Sequence, residues 1–486
     1  MMIRSVLMPL GLCLAAISAG CATGHRPSAP SEQAAQPAKR ARNVIVFIGD
    51  GMGISTITAA RIFDGQSRGM SGEENLLSFE RFPNVALVKT YNSNQQVPDS
   101  AGTATAIHTG VKTRAGVVGI APEARRRNCT EALAHPLPTI GERVKAQGKA
   151  LGFVTTTRVT HATPASLYAH SAERDWESDR YIPDQDLEAG CVDIARQLLE
   201  FPGGVDIALG GGTREFQGSS LGGQRKAVHE DLIQQWLQAG ANRRVIQSRS
   251  ELRSVRPDEQ ILGLFAKSHM TYVAQRPEDT QEPTLSEMTA AAIDRLNADA
   301  DGYYLLVEGG RIDHGHHDGK PGYALSETQA LAAAVSVALE KVDLNETLIL
   351  VTADHSHTFT ISGYPRRGHP ILENVVGNDI SGTPKTTPTL AADGLPYNTL
   401  GYMNGPGAVV GGSRGTPQTG IHATAQALVP FSKPEIDGKL SDAAAHGGED
   451  VAVYATGPGA SQVHGVLEQN RIFDIVMAAF GWKAAE

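Results

Sequence analysis

The sequence predicts an α/β protein with a doubly wound, mostly parallel central sheet, helices on both faces and one long irregular insertion. Short apolar runs typical of buried strands alternate with helical stretches along about 400 residues, the pattern of parallel strands joined by crossover helices. Several of these runs end abruptly in acidic residues or histidine. Open α/β sheets hold their sites at the carboxyl ends of strands, so these polar ends predict where the site lies.

The individual elements follow from the same pattern. Apolar runs bounded by polar or glycine-rich segments predict strands that are buried on both faces. These strands are Asn43–Ile48, Ala150–Thr156, Val205–Leu209, Tyr303–Val307, Thr347–Val351 and Val451–Tyr454. Helices are predicted at Ile54–Arg61, Glu287–Leu296 and Gln329–Val342. Residues 362–435, rich in Gly, Pro, Thr and Asn, break the alternation and predict an insertion that is either a subdomain or a partner contact.

Residues 1–21 have the pattern of a secretory signal peptide, in which a basic residue precedes an apolar run too short to span a membrane. Cys21 resembles the lipidated cysteine of a bacterial lipoprotein, although Ser18 stands where leucine is usual. The alternative is cleavage near Ala22. Residues 22–42 are rich in Ala, Pro, Ser and Gln and predict a flexible tether. We therefore expect secretion across the inner membrane, to a periplasmic or lipid-tethered location.

The composition is that of a soluble globular protein. The chain has 486 residues, of which 41% are hydrophobic and 20% charged, and its net charge is -9. The absence of a basic excess argues against nucleic acid as a specific partner. Two of the four cysteines belong to the signal. In an oxidising compartment, the remaining pair, Cys129 and Cys191, favours a disulfide over a metal site.

The first polar strand end is the glycine-rich turn at 49–53, which contains Asp50. A glycine-rich turn between a strand and a helix is also typical of dinucleotide binding. Asp50 argues against that function, because its carboxylate would repel a pyrophosphate held by backbone amides. A carboxylate at the end of a strand, next to flexible glycines, suits a metal ion instead.

The second polar strand end follows Tyr303–Val307 and contains Glu308, Asp313 and His317. Asp313 and His317 are four residues apart, so on a helical turn they share one face. A carboxylate and an imidazole that converge in this way suit a divalent metal, and the nitrogen ligand favours zinc. The alternative is a polar loop with solvated histidines. For His316 we predict no metal-binding role, only a position in solvent or in the core.

The third polar strand end follows Thr347–Val351 and contains Asp354 and His355, while His446 precedes the last strand. Three such strand ends in one chain predict a two-metal hydrolase. Phosphate-monoester hydrolysis is a reaction that needs catalysis by two metals. The largest rate enhancements known for it, about 10²¹-fold, require roughly 28 kcal/mol of transition-state stabilisation. General acid–base catalysis alone supplies only about 10²–10⁴-fold.

Four further residues are ambiguous by themselves. Ser100 stands near the predicted start of a helix, where the common role is an N-cap and the functional role is a nucleophile beside free amide groups. Taken alone, the pattern favours the cap. Arg174 is either a surface charge or a fork for phosphate oxygens. His161 and Thr163 carry no signal of their own.

From residue 43 nearly to its end, the chain resembles the alkaline phosphatase family. The matching motifs are FIGDGMG (47–53), VPDSAGTATA (97–106), VTTTRVTHATPAS (154–166), ERDW (173–176), VEGGRIDHGHH (307–317), VTADHSH (351–357) and HGGEDVAVYATGP (446–458). The resemblance implies an enzyme that hydrolyses phosphate monoesters through a phosphoserine intermediate. It also implies two Zn²⁺ and one Mg²⁺ per subunit.

The resemblance assigns roles to single residues. Ser100 would be the nucleophile, and Arg174 would bind the phosphate oxygens. His161 and His314 match the animal-type pattern and would tune magnesium and phosphate binding. The implied ligands are Asp313, His317 and His446 for the first zinc, Asp50, Asp354 and His355 for the second zinc, and Asp50, Thr163 and Glu308 for magnesium.

The family pattern extends to other features and is broken at one. Cys129 and Cys191 match a family disulfide, and the region at about 362–435 resembles a shortened form of the crown insertion at the family's homodimer interface. Animal-type members have a fourth, calcium-like site with a glutamate after a Leu-Phe pair. Here Ala266 follows that pair, which puts the fourth site in doubt.

Two other functions compete with the phosphomonoesterase prediction. One is a related phosphodiesterase or sulfatase, although sulfatases use a modified cysteine or serine and no cysteine stands near Ser100. The other is an inactive metal-binding surface protein. The complete ligand set argues against an inactive site.

Overall fold

The computed structural model describes residues 40–434 and 439–483. The predicted signal peptide, Cys21 and the tether as far as residue 39 lie outside this range. The folded part begins slightly before the predicted end of the tether, because the amide of Ala41 donates to the carbonyl of Ala479 at 2.7 Å and Arg42 donates to Glu346 at 2.7 Å. None of the described helices is both long and apolar enough to cross a membrane.

The strands occur in every region where the sequence predicts them, with additional short strands. In chain order they are β1 (Asn43–Gly49), β2 (Asn84–Lys89), β3 (Ala150–Arg158), β4 (Ile207–Gly211), β5 (Arg243–Ile246), β6 (Gln260–Leu264), β7 (Tyr303–Gly309), β8 (Thr347–Ala353), β9 (Ser356–His357), β10 (Phe359–Ile361), β11 (Leu400–Asn404), β12 (Gln426–Val429), β13 (Ser432–Pro434), β14 (Leu440–Asp442), β15 (His446–Gly447), β16 (Val451–Thr456) and β17 (Gly465–Glu468).

The helices include the three predicted ones. They are α1 (Ile54–Ser67), α2 (Ser100–Thr109), α3 (Cys129–Ala134), α4 (Ile140–Ala146), α5 (Ala162–Ala165), α6 (Asp184–Glu188), α7 (Ile194–Glu200), α8 (Thr213–Phe216), α9 (Leu232–Gln238), α10 (Arg249–Leu252), α11 (Leu285–Leu296), α12 (Arg311–His317), α13 (Pro321–Lys341) and α14 (Arg471–Phe480), with 3₁₀ turns at Ser78–Arg81, Asp179–Tyr181, Ser219–Leu221, Val273–Gln275 and Ala460–Gln462. The helix predicted to begin at Gln329 begins at Pro321, because proline is well suited to the first turn.

A ten-stranded sheet forms the centre of the fold, in the order β17-β2-β16-β8-β1-β7-β3-β4-β6-β5. Its neighbours pair in parallel except at β16, which is antiparallel to both β2 and β8. The strands β1, β7 and β8 are buried along their whole length. Helices α11 and α13 pack on each other and on this part of the sheet, and α4 and α14, which both contact α2, pack on it as well. The predicted doubly wound α/β architecture is confirmed.

The register of the three central strands brings the polar strand ends together. Gly49 at the end of β1 lies opposite Gly309 of β7 and Ala353 of β8. Asp50 and Asp354 follow directly at the same edge. The parallel pairing of neighbouring strands therefore places side chains about 300 residues apart in one small volume.

The region that follows β10 differs from the sheet. Its described part, 362–434, is mostly irregular, and β11 and β12 form a three-stranded sheet with β10. Strands β13 and β14 pair as an antiparallel hairpin. Large apolar side chains are exposed here, among them Tyr364, Ile380 and Leu428.

A disulfide joins Cys129 and Cys191, whose Cα atoms are 5.9 Å apart. The two residues are separated by 62 positions. In the chain-entropy view, closing a loop of that length stabilises the folded state by about 4 kcal/mol. The segment between them contains Arg174, so the bond limits the movement of the loops on this side of the sheet.

Candidate active site

Ser100 is the first residue of α2 and is only 2% exposed. The helix is capped by Asp99, whose Oδ1 accepts a hydrogen bond from the Gly102 amide at 3.1 Å. The interpretation of Ser100 as an N-cap is therefore wrong. Its Oγ instead donates to Asp50 Oδ1 at 3.3 Å and lies 3.1 Å from His355 Nε2.

Arg174 lies at the same site, so its interpretation as a surface charge is also wrong. Its NH1 donates to Asp99 Oδ2 at 3.1 Å. Burial opposes ionisation of Asp99, but Arg174 and the amides of Gly102 and Gly116 outweigh it and lower the pKa of that carboxyl. Arg174 and Ser100 line one cavity of about 870 Å³. The capping carboxylate thus holds the guanidinium beside the serine.

The first cluster of candidate metal ligands contains Asp313, His317 and His446. The Nε2 atoms of the two histidines are 3.1 Å apart, and each lies 3.4 Å from a carboxylate oxygen of Asp313. Asp313 and His317 share one face of α12, as their spacing predicts. His357, which sequence reasoning missed, joins them with its Nε2 2.5 Å from Asp313 Oδ1.

The second cluster contains Asp50, Asp354 and His355, all fully buried. The Nε2 of His355 lies 3.4 Å from Asp50 Oδ1 and 3.4 Å from Asp354 Oδ2. Asp313 is also within reach of this cluster, so the first two clusters adjoin. Ser100 Oγ approaches both Asp50 and His355 and therefore faces the second cluster.

The third cluster contains Asp50, Glu308 and His161. Thr163, at the start of α5, is fully buried, and its Oγ1 has no hydrogen-bond partner among the described residues. Glu308 Oε1 is likewise buried without a partner there, whereas its Oε2 accepts from Thr157 at 3.2 Å and from Thr155 at shorter range. Buried oxygen atoms without a hydrogen-bond partner are suitable ligands for a hard cation.

The pKa values of the buried carboxyl groups indicate that cations fit these clusters. Burial raises the pKa of Asp50 well above its usual range, and Asp354, Asp313 and Glu308 raise it further. Burial also raises the pKa of Glu308 to about 7. Four carboxyl groups this close repel one another when ionised, so a water-excluded site needs compensating positive charge. The donor types in these clusters, imidazole nitrogen with carboxylate and hydroxyl oxygen, suit divalent ions.

His161, a member of the third cluster, lies near His314 and near a third histidine that sequence reasoning missed. His161 Nε2 is 3.2 Å from Arg174 NH2. The ring of His314 lies 5.7 Å from that of His161 and 4.3 Å from that of His269. His269 had no signal in the sequence, because it follows no predicted strand and belongs to no matched motif.

His316 lies in the core. Its Nε2 is 2.9 Å from Thr56 Oγ1, and its Nδ1 is 2.9 Å from the hydroxyl of Tyr402. Both ring nitrogens are therefore satisfied by neutral hydroxyl groups. The structural role given to His316 in the core is correct.

The spacing of His357 from His355 could have predicted that it joins the ligands. It stands two residues after His355, so in extended backbone the two side chains share a face. The short strand β9 ends at His357 and pairs with β15, which begins at His446. The pairing explains why two histidines far apart in the chain meet at one cluster.

A serine held at a helix N-terminus, an adjacent guanidinium and three clusters of buried cation ligands define a metal-binding hydrolase of phosphate esters. The alkaline phosphatase family profile matches residues 41–482. The chain belongs to the alkaline phosphatase family, and it is a phosphomonoesterase.

Relatives support this assignment. The tissue-nonspecific alkaline phosphatase of Gallus gallus is 44% identical over 453 residues, which are 89% of this chain and 83% of the relative. The alkaline phosphatase of Gadus morhua is 41% identical over 89% of this chain and 90% of its own length.

Solved structures agree on the fold. The alkaline phosphatase of Thermus thermophilus matches with a TM-score of 0.65 and 24% identity, over 94% of this chain and 96% of that one. The enzyme from the Antarctic bacterium TAB5 matches with a TM-score of 0.62 and 23% identity, over 92% and 100%.

Proposed function

We propose that the enzyme hydrolyses phosphate monoesters through a phosphoserine at Ser100, with two Zn²⁺ and one Mg²⁺ per subunit. The observation that carries this proposal is the position of Ser100 Oγ, 3.1 Å from His355 Nε2 and 3.3 Å from Asp50 Oδ1. A serine in a purely structural role has no need to face two ligands of a buried cation cluster.

The ligand chemistry favours particular ions. Clusters that mix imidazole and carboxylate suit zinc, whereas Asp50, Thr163 and Glu308 offer only oxygen, which suits magnesium. A solved variant of the TAB5 enzyme, in which a histidine is replaced by aspartate, is described with Mg bound in its M3 site. The zinc ligands would be Asp313, His317 and His446 in one site and Asp50, Asp354 and His355 in the other. When bound, such ions lower the pKa of a coordinated hydroxyl and neutralise charge on oxygen.

The residues of the chain divide the work of the reaction. Ser100 Oγ loses its proton to solvent and bonds to phosphorus as the P–O ester bond breaks, and the leaving oxygen takes up a proton to become the alcohol. Water then attacks the same phosphorus, the P–Oγ bond breaks, and the serine hydroxyl is restored as phosphate leaves. Arg174 presents two parallel N–H donors to the phosphate oxygens, a geometry that lysine cannot supply. Asp99 keeps Arg174 in place and leaves the remaining amides at the N-terminus of α2 free for an anion.

Substitution of the serine tests the mechanism. Ser100→Ala should lower turnover of an aryl phosphate by about 10³-fold or more and abolish a trapped phosphoenzyme, with the folded state unchanged by circular dichroism. Ser93→Ala, at an exposed position, is the matched control. Unchanged turnover in Ser100→Ala would refute the nucleophile.

Elemental analysis of the purified enzyme tests the ions. We expect two zinc and one magnesium per chain, loss of activity on chelation and recovery when both metals return. Full activity of a metal-free preparation would contradict the proposal. Rates measured side by side on a monoester, a diester and a sulfate ester would show whether the site instead prefers the related substrates.

We also propose a homodimer formed through the insertion at 362–434. Its exposed apolar residues include Tyr364 at 89% and Leu428 at 81% exposure, which is unusual for a surface that stays in water. The chain would act in the periplasm, either free or tethered to a membrane by a lipid on Cys21. Mass spectrometry of the mature N-terminus would decide between lipidation and simple cleavage.

A further inference from the structure

The cavity beside Ser100 has one cation that differs from the others. Four arginines line it, and each has a carboxylate partner: Arg126 with Glu173, Arg158 with Glu177, Arg174 with Asp99 and Arg214 with Glu215. Lys433 lines the same cavity, is half-buried and has no carboxylate partner among the described residues. Its charge is therefore available to a ligand.

The strand that carries Lys433 is tied to the first ligand cluster. Lys433 lies in β13, and the amide of Ala443, just after β14, donates to Phe431 at 3.1 Å. Next in the chain, Ala444 donates to the carbonyl of His317 at 2.9 Å and accepts from His317 Nδ1 at 2.6 Å. These bonds fix the hairpin against the site, so Lys433 is held at the cavity.

Lys433 also lies on the same wall as the groups around the serine. It lines one cavity together with Ser100, His161, His314 and His317.

Two neutral imidazoles add hydrogen-bond donors to the same wall. His269 Nε2 is 2.5 Å from Arg158 NH1, and His314 Nδ1 is 2.9 Å from Arg311 NH1. A guanidinium can only donate, so these nitrogens accept and each ring carries its proton on the other nitrogen. His269 Nδ1 is buried with no partner among the described residues. The two rings, 4.3 Å apart, line the cavity with Lys433.

We propose that Lys433, His269 and His314 form a subsite for a second phosphate group of the substrate. The inference rests on the proposed reaction at Ser100. A lysine that has no carboxylate partner among the described residues, and two N–H groups that have no acceptor there, match an oxyanion. A neutral leaving group would leave these donors unpaired. The enzyme would then favour substrates whose leaving group carries its own phosphate, such as nucleoside diphosphates.

A matched pair of substrates tests the subsite in the metal-loaded enzyme. ADP and AMP differ by one phosphate, so the ratio of their kcat/KM values reports on the second group. Lys433→Met should lower the ADP-to-AMP ratio by about tenfold, and Lys433→Arg should restore most of it. Lys267→Met, at an exposed position two residues from His269, should leave the ratio at the wild-type value.

Two further measurements separate charge from structure. His269→Phe, which keeps a ring and removes the donor, should lower the ratio by about threefold. Raising the ionic strength from about 0.05 to about 0.5 M should lower the ratio in the wild type and have little effect in Lys433→Met, because salt screens the charge.

The outcomes distinguish the subsite from the reaction. A ratio that stays within about twofold of wild type in Lys433→Met, or a failure of Lys433→Arg to restore it, would overturn the subsite. If the unmodified enzyme did not hydrolyse AMP at all, the proposed function itself would fail, and the subsite with it.

Discussion

The edge of the central sheet and the insertion at 362–434 place side chains in opposite ways. At the sheet edge, charged groups such as Asp50 and Asp354 are fully buried. In the insertion, apolar groups such as Ile380 and Leu428 are exposed. Each arrangement is unfavourable for an isolated chain in water, since buried charge loses solvation and exposed apolar surface does not gain burial.

The difference teaches what each region lacks when it stands alone. The sheet edge lacks positive charge, which cations would supply. The insertion lacks apolar cover, which a second subunit would supply. The comparison therefore gives two independent experiments, one on metal content and one on assembly. Removal of metal should change the sheet edge before the insertion, and disruption of assembly should change the insertion before the sheet edge.

Removal of metal should have the largest effect and should be confined to the sheet edge. The pKa of Glu308 is raised to about 7 in the folded protein, above its ordinary value of 4.5, chiefly by burial. In metal-free protein, stability should therefore fall as the pH rises from about 4.5 to about 7 and remain low above it. Thermal unfolding at several pH values, with activity lost throughout, is the measurement.

A substitution sharpens this result. Glu308→Gln removes one of the repelling charges, so it should raise the Tm of the metal-free protein and lower that of the metal-loaded protein. Glu327→Gln, at another buried glutamate outside the clusters, should change both forms by the same amount. If Glu308→Gln, like Glu327→Gln, shifted the Tm of the metal-free and metal-loaded forms by the same amount, the sheet edge would not need cations.

Assembly should respond to one charge in the insertion. Leu428→Glu places a carboxylate on the proposed dimer surface, where burial without a partner should weaken association by about 10²–10³-fold. Analytical ultracentrifugation measures the dissociation constant directly. Val466→Glu, on the exposed side of β17 and 58% exposed in the wild type, is the control and should leave the dimer intact. Dissociation by the control alone would place the interface on the sheet.

The sheet edge was largely predictable, and the reason is local. Asp50 and Asp354 directly follow apolar runs, and Glu308 ends one, so the strand pattern indicates their common edge without knowledge of distant contacts. The cap of α2 was not predicted correctly, because Asp99 and Ser100 are both good cap residues and only the backbone geometry decides between them.

The membership of each cluster could not be read in the same way. His357 reaches Asp313 across 44 positions, and the ring of His269 contacts that of His314 across a segment that contains α11 and β7, through packing that no short pattern encodes. The insertion was predicted only as a region of unusual composition. Its exposed side chains depend on irregular backbone, for which the sequence has no periodic signal.

The smallest expected effect is a change in the pH dependence of stability, and it concerns helix α2, which begins at Ser100. His108 lies in α2, is fully buried, and its pKa is lowered to about 3 by burial. As the pH falls below about 6.5, the unfolded chain binds a proton that the folded chain refuses, so stability should fall by about 2 kcal/mol between pH 7 and about pH 5. Urea unfolding of His108→Gln should show a loss smaller by this amount, whereas His229→Gln, at an exposed position, should behave as wild type. An equal loss in His108→Gln and wild type would mean that acid weakens the metal clusters alone and that the helix behind Ser100 adds nothing to the pH dependence.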